Sequence, residues 1–407
     1  MQTKNKLGLL SLCGLIIGPI LGSGIVLLPP IAYKIVGKWA IISWIIIMLL
    51  GIVFAYVFTY LSLKSPGNEG VAIAVGKTLG MFWRELSENF LTTAACFGPV
   101  AVIVTASGFL KKFPILSDLK VELIAFFLIL LCLIILILGV KTLGVLTLVL
   151  TGFTAILLFF GSLYTLIFYS YIRLPEKSFP LNDFGYTLLL LFWAIVGWEV
   201  LGSYIEDIHN PKKTLMRAMV ISVSAITIIY LMVSFAVQST ITREPSVAAI
   251  MFPLFGSFTV PIMGIIASGL CISTYLMIVG AVTKMSAARS IKKRLPLYLS
   301  HLNKMGSPYN AICTIGLIHF FMLILLALNV LSVDSLVGCA NVFFISNAII
   351  GLISGFRLLE NIKLRILISM LIFCFILLLF NANIWSLILF SFIIFISGYR
   401  YKSIIDL

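Results

Sequence analysis

Apolar residues along the chain come in runs of about 20, separated by short clusters of Lys, Arg, Asn, Pro and Gly. A helix of that length crosses the ~30 Å hydrocarbon core of a bilayer, so each run is predicted to be a membrane-spanning helix. About twelve are predicted, at 7–33, 39–63, 82–110, 119–138, 142–171, 184–205, 214–239, 258–288, 309–329, 334–356, 364–380 and 384–399. Most connections are short; the longer ones fall near 64–80, 172–183, 240–257 and 289–308, with Pro175, Pro180, Pro245 and Pro253 breaking the second and third of these. The first run has Lys4 and Lys6 before it, as a signal peptide would. It is too long for one and has no small-residue cleavage site, so it is kept as the first span.

Two runs are interrupted. The first carries Gly18-Pro19-Ile20-Leu21-Gly22-Ser23-Gly24-Ile25, and the sixth carries Phe192-Trp193-Ala194-Ile195-Val196-Gly197-Trp198-Glu199. Lipid offers no partner to freed backbone N–H and C=O groups, so irregular backbone at membrane depth survives only where it lines a cavity. Broken helices at corresponding positions of two halves point to the substrate site of a transporter. No direct identity between spans 1–5 and 6–10 is legible, so the repeat rests on those two breaks.

Composition agrees. Of 407 residues 61% are hydrophobic and 10% charged, against about 25% charged in soluble domains, and the mean hydropathy is +1.19. The net charge of +14 raises nucleic acid or anionic lipid as a partner, but its distribution gives a simpler reading. With the N-terminus in the cytoplasm, twenty of the 28 Lys and Arg fall on the cytoplasmic side, which is the positive-inside bias and places both termini there. The run Lys292-Lys293-Arg294 then reads as a topology signal or lipid-headgroup contact in a cytoplasmic loop. Seven cysteines fall singly within spans, without a CxxC pair, and read as packing residues with no disulfide framework or metal site.

Gly22-Ser23-Gly24 is the strongest local signal. Glycine lets backbone leave a helix and approach a ligand closely, and the half-helix starting near Ile25 aims free N–H groups and a positive dipole end at an anion. An amino acid carboxylate fits, with Ser23 as a further donor; the alternative is a small-residue packing face. Glu199 is the one carboxylate placed deep within a span, either functional or a hydrogen-bonded brace of the broken helix. Trp193 and Tyr275 are candidates to close over a bound ammonium through their ring faces, against plain packing. His319, in the ninth span, reads more readily as hydrogen-bonded to a neighbouring helix than as a proton relay. No Walker lysine motif, zinc spacing or nucleophile elbow is present, so no cofactor, metal or hydrolytic activity is expected.

With Pro29, the loop Pro66-Gly67-Asn68-Glu69-Gly70, Asn210-Pro211-Lys212-Lys213 with Arg217-Ala218, and the run Gly280 to Lys284, these motifs resemble the amino acid–polyamine–organocation transporters over nearly the whole chain. The likeness is greatest to the basic amino acid/polyamine antiporters and related exporters. The resemblance implies an all-α membrane fold of two inverted five-helix repeats (1–171 and 184–356) plus two peripheral helices (364–399), forming a single domain over 1–407. It implies a carboxylate held at Gly22, Ser23 and Gly24, and an amine meeting backbone carbonyls near Ile20 and around Trp193, Ala194, Val196 and Gly197. Trp193 takes the place of a gating tryptophan, and Tyr275 that of a second. Three positions depart from the pattern. Thr154 stands where some proton-coupled relatives carry lysine, Met216 replaces a proline after the Asn-Pro loop, and Pro99 replaces a side-chain amide of the arginine-type antiporters. A neutral amino acid is therefore as well suited as a cationic one.

The expectation is a secondary amino acid transporter of the inner (plasma) membrane, working by alternating access as an exchanger or exporter, and not an enzyme. Alternatives are a polyamine carrier or a proton-coupled symporter and, from other classes, an ion channel or membrane-embedded enzyme. A channel needs a filter or rings of charge, and an enzyme needs convergent polar groups, which Glu199 lacks. The expected partners are a small amino acid and membrane lipid, without nucleic acid; a homodimer is left open.

Overall fold

The computed structural model describes residues 6–171, 179–240, 245–380, 382 and 384–405. Lys4, Arg173, Pro175, Lys177 and Arg243, used above to read topology and loops, lie outside them. The protein is 85% helical, and the described residues contain no strand. Its helices are α1 (Leu9–Leu21), α2 (Gly24–Val36), α3 (Ala40–Lys64), α4 (Ala72–Leu79), α5 (Met81–Leu110), α6 (Val121–Ile137) and α7 (Val140–Phe168), followed by α8 (Leu181–Leu191), α9 (Pro211–Ser239), α10 (Val247–Phe255), α11 (Thr259–Ile291), α12 (Tyr309–Ala327), α13 (Val333–Leu358), α14 (Ile362–Leu379) and α15 (Ile384–Ile405).

Two spans are not single helices. α1 and α2 together make the first, interrupted at Gly22-Ser23. α8 continues into a 3-10 turn at Phe192–Ile195, a break at Val196-Gly197, and a 3-10 segment at Trp198–Asp207. A ten-residue 3-10 run is longer than its eclipsed side chains usually allow and marks a specialised stretch. α3 packs on α9 and α5 on α11, so the second span lies against the seventh and the third against the eighth. α14 and α15 lie outside, packed mainly on α13 and α5.

The arrangement follows from a solvent that is itself apolar. α7 buries Gly144, Thr147, Thr151, Thr154, Gly161 and Thr165 while exposing Val149, Phe153, Ile156 and Phe160. Small and hydroxyl-bearing residues face neighbouring helices because they allow close approach and interhelical hydrogen bonds, and bulky apolar ones face lipid. Thr151 Oγ1 donates to the Gly14 carbonyl of α1 at 3.1 Å, and Thr165 Oγ1 to the Ile250 carbonyl of α10 at 2.5 Å. α11 runs through the centre and is buried along nearly its whole length.

One face of the molecule is laced with ions. Glu85 and Glu88, on one side of α5, meet Arg289 near the end of α11 at 2.9 and 3.0 Å. Arg294 reaches Glu69 at 3.1 Å and also pairs with Glu85 and Glu88; Glu69 is further held by Arg84 and Lys292. This changes two expectations. Lys292 and Arg294, of the run read as a topology signal or a headgroup contact, turn onto buried carboxylates and not outward to headgroups, and Glu199 is joined by Glu85 and Glu88 as a buried acid within a span. The physical reason is mutual. Each charge is tolerable away from water because its partner sits at hydrogen-bond distance. Burial works against a charged Glu69, yet Lys292 and Arg84 outweigh it and hold the carboxyl below its ordinary 4.5.

Candidate functional site

The first break is built by conformation. Gly22 has φ +43°, and a Cβ there would stand 2.8 Å from the Pro19 carbonyl oxygen, so glycine is required twice over. Its N–H closes α1 on the Gly18 carbonyl at 2.7 Å. α2 then starts at Gly24, and its first intrahelical bonds are made by Val26 and Leu27 to the Ser23 carbonyl at 3.2 Å each. The N–H groups of the opening turn precede those bonds and have no intrahelical acceptor.

The carbonyls at the end of α1 are cross-braced from α9. Tyr230 Oη donates to the carbonyls of Ile20 and Leu21, 3.2 Å from each, while its ring stacks on Trp44 with centroids 4.7 Å apart. Across the cavity Gly197, at φ +127°, turns the sixth span, and its N–H donates to Glu199 Oε2 at 2.9 Å. A carbon on Gly197 would come within 3.4 Å of Ile20 Cγ1, so the two breaks face each other at close range.

Between them lies a cavity with about 50 Å³ open to water centres, bordered by Ile20, Gly22, Ser23, Gly24, Trp193, Val196, Gly197 and Glu199. Its remaining walls are chiefly apolar, with Val102 of α5, Met277 and Ile278 of α11, Phe344 of α13 and the hydroxyl-bearing Thr274. Trp193 and Val196 also border a second, apolar cavity of about 260 Å³ on the side of α2, α8, α13 and α14. Trp193 and Val196 are thus the partition between two chambers.

Eight of the ten residues picked from the sequence come together here; two do not. Ala194 is buried behind the turn, and Tyr275, fully buried, directs its hydroxyl to His319 Nδ1 at 2.8 Å, away from the cavity. His319 Nε2 is 2.8 Å from the Ala95 carbonyl, so both ring nitrogens are engaged between helices. Thr154 bonds its own helix at the Leu150 and Thr151 carbonyls and carries no titratable group. Tyr230, Val102, Thr274, Met277 and Phe344 escaped the sequence reading. A tyrosine in an aromatic-rich membrane helix, or an apolar residue in an apolar span, carries no local mark of its partner. Glu85 with Glu88, three apart on one face of a span, could have been matched to Arg289.

A family profile described as "Amino acid permease" matches residues 7–398. The chain belongs to the amino acid permease family. Among similar proteins, the L-methionine/branched-chain amino acid exporter YjeH of Escherichia coli is 22% identical, over 88% of this chain and 87% of its own. The serine/threonine exchanger SteT of Bacillus subtilis is 27% identical over 76% of this permease and 74% of its own length. The cadaverine/lysine antiporter of Escherichia coli is 24% identical over 69% and 66%. All three are transporters by description, so this permease is a multi-pass membrane protein of an amino acid transport family.

Proposed function

We propose that this permease exchanges or exports neutral amino acids across the cytoplasmic membrane by alternating access, with both termini in the cytoplasm. The observation that carries the reading is the convergence of both helix breaks on one small, largely apolar cavity. The opening turn of α2 offers N–H donors and a positive dipole end to a carboxylate. Unwound carbonyls around Trp193 to Val196, and the second lone pair of the Ile20 carbonyl, suit an ammonium group. The substrate side chain then lies among Val102, Met277, Ile278 and Phe344, where a second charge finds no partner except Glu199. A polyamine has no carboxylate and would leave the α2 donors unpaired.

Trp193 separates the cavity from the larger apolar chamber and serves as the outer gate. The division into repeats at 1–171 and 184–356 puts one broken helix at the head of each, so rocking one set of helices against the other alternates access to a fixed site. The test is counterflow in proteoliposomes across all amino acids and common polyamines. Saturable counterflow of an aliphatic or thioether amino acid is expected. Non-saturable flux, or counterflow with polyamines alone, overturns the reading.

A further inference from the structure

A third cavity, larger than either of those above, opens on the face that bears Lys293. It has about 290 Å³ open to water centres, and Lys6, Glu206, Asp207, Lys284, Lys304 and Ser307 border it. Exposed residues, Lys6 and Lys304 among them, form its mouth, and buried Gly280 and Thr283 of α11 form its floor.

It lies one helical turn beyond the substrate cavity. The segment Trp198–Asp207 contributes Glu199 to the one and Glu206 and Asp207 to the other, and α11 contributes Met277 to the one and Gly280 to the other. Tyr204 stands at the level between them. Its hydroxyl donates to the Met277 carbonyl at 2.7 Å and rests so close on Gly280 that a Cβ there has no room. Lys284 Nζ sits 5.5 Å from the centre of the Tyr204 ring and pairs with Asp207.

One wall is built to receive an anion. Asn303 is tied to the end of α6 through Nδ2, which donates to the Ile137 carbonyl at 2.8 Å, and its Oδ1 accepts the N–H groups of Met305 and Ser307 at 2.9 Å each. This fixes the loop 303–307 against the start of α7, where a Cβ on Gly139 would lie 3.7 Å from Ser307 Oγ. Gly139 precedes α7 with no side chain to cap it, so N–H groups of the opening turn have no intrahelical acceptor. Ser307 is 5% exposed, and its hydroxyl has no hydrogen-bond partner among the described residues. A buried hydroxyl left so is costly, and a ligand oxygen relieves it. Among the described residues neither Lys304 nor Lys6 has a carboxylate partner.

The charges discriminate between ligands. Lys284 neutralises Asp207, which leaves Lys6 and Lys304 against Glu206, whose one partner among the described residues is the Asn68 amide at 2.6 Å. A phosphate is repelled by Glu206, and a polyamine by Lys6 and Lys304. A zwitterion has an oppositely charged partner for each end.

We propose that this cavity is a second site for a zwitterionic amino acid, with its carboxylate at Ser307 Oγ, the opening turn of α7 and Lys304, and its ammonium toward Glu206. The inference rests on the transport reading and extends it. An amino acid entering from the Lys293 face is held here first, and reaches the substrate cavity when Tyr204 moves off Gly280.

The test is equilibrium dialysis on the full chain in nanodiscs of phosphatidylcholine and phosphatidylglycerol, whose headgroups carry no primary amine. The probe is radiolabelled L-leucine or L-methionine, whichever gives the stronger counterflow. Wild type should bind two molecules per chain, the second severalfold more weakly because its site is open to water and salt. Ser307→Ala, Lys304→Gln and Glu206→Gln should each weaken the second molecule about tenfold, since each removes a hydrogen bond to a charged group. Excess inorganic phosphate, or phosphatidylethanolamine in place of phosphatidylcholine, should leave it bound. One molecule per chain in wild type overturns the proposal, as does an unaltered second molecule in any of the three variants. Displacement of the second molecule by phosphate or by the ethanolamine headgroup overturns it too, assigning the cavity to anions or to lipid. Absence of binding and of counterflow with both amino acids would instead overturn the transport reading.

Discussion

Adding one carbon at Gly24 tests how the first break is held. An alanine Cβ there would stand 2.9 Å from the Tyr230 hydroxyl, 3.4 Å from Leu28 Cδ1 and 3.7 Å from Trp193 Cδ1. Only the first contact is too short, and the hydroxyl has little freedom to yield. It bridges two carbonyls at 3.2 Å, on a ring stacked against Trp44. Relief must stretch that shared, three-centre hydrogen bond, worth about 0.5–1.5 kcal/mol net, and overpacking of this kind costs about 1–3 kcal/mol. Gly24→Ala should therefore destabilise the protein by about 2–3 kcal/mol. It should weaken substrate about tenfold or more, since 1.4 kcal/mol corresponds to one decade. Tyr230→Phe has its own cost, the loss of that shared hydrogen bond, but it removes the oxygen that the new carbon meets. In that background Gly24→Ala should cost about 1–2 kcal/mol less than in wild type, a coupling typical of residues in contact. Melting temperature in detergent and half-saturation of counterflow measure the four corners of the cycle. Equal costs for Gly24→Ala in both backgrounds would refute the contact as the cause.

Tyr275→Phe leaves buried His319 Nδ1 without its partner and should lower stability by about 1–3 kcal/mol. Counterflow half-saturation should stay at the wild-type value, because Tyr275 does not border the cavity. Trp193→Ala joins the 50 and 260 Å³ chambers, so efflux without trans substrate should rise, and an unchanged leak would remove Trp193 from the gate. Glu69, held below its ordinary 4.5 in the folded protein, contributes stability that is fully present above that value and is lost as pH falls through the lower folded one. Glu69→Gln should accordingly melt lower at neutral pH, with the gap closing as the sample is acidified below about 4.5. For topology, an impermeant thiol reagent applied to intact cells should mark Lys112→Cys and spare Lys293→Cys; the opposite pattern would invert the assignment.

The spans were legible because lipid imposes one rule on every residue of a crossing helix, and a run of apolar side chains is its direct record. The breaks were legible for a related reason. Gly22 and Gly197 adopt backbone angles that side chains resist, so glycine at membrane depth marks the place. Their meeting across a single cavity was an inference from symmetry, and packing gives it the distance of 3.4 Å from a Gly197 carbon to Ile20.

Side-chain partnership was the part the sequence left open. Tyr275 and Trp193 look alike as aromatics in broken or central spans, yet one is drawn off to His319 and the other divides two chambers. Arg294 looks like any loop arginine until α5 brings Glu85 and Glu88 beneath it, some 200 residues away in sequence, and Lys292 like any loop lysine until Glu69 meets it. Tyr230 lies 210 residues from the carbonyl it braces. Local sequence determines whether backbone can be helical and whether a side chain tolerates lipid, because both are settled within a turn or two. Which buried polar group answers which other depends on the crossing of helices remote in the chain, and only the tertiary structure decides that.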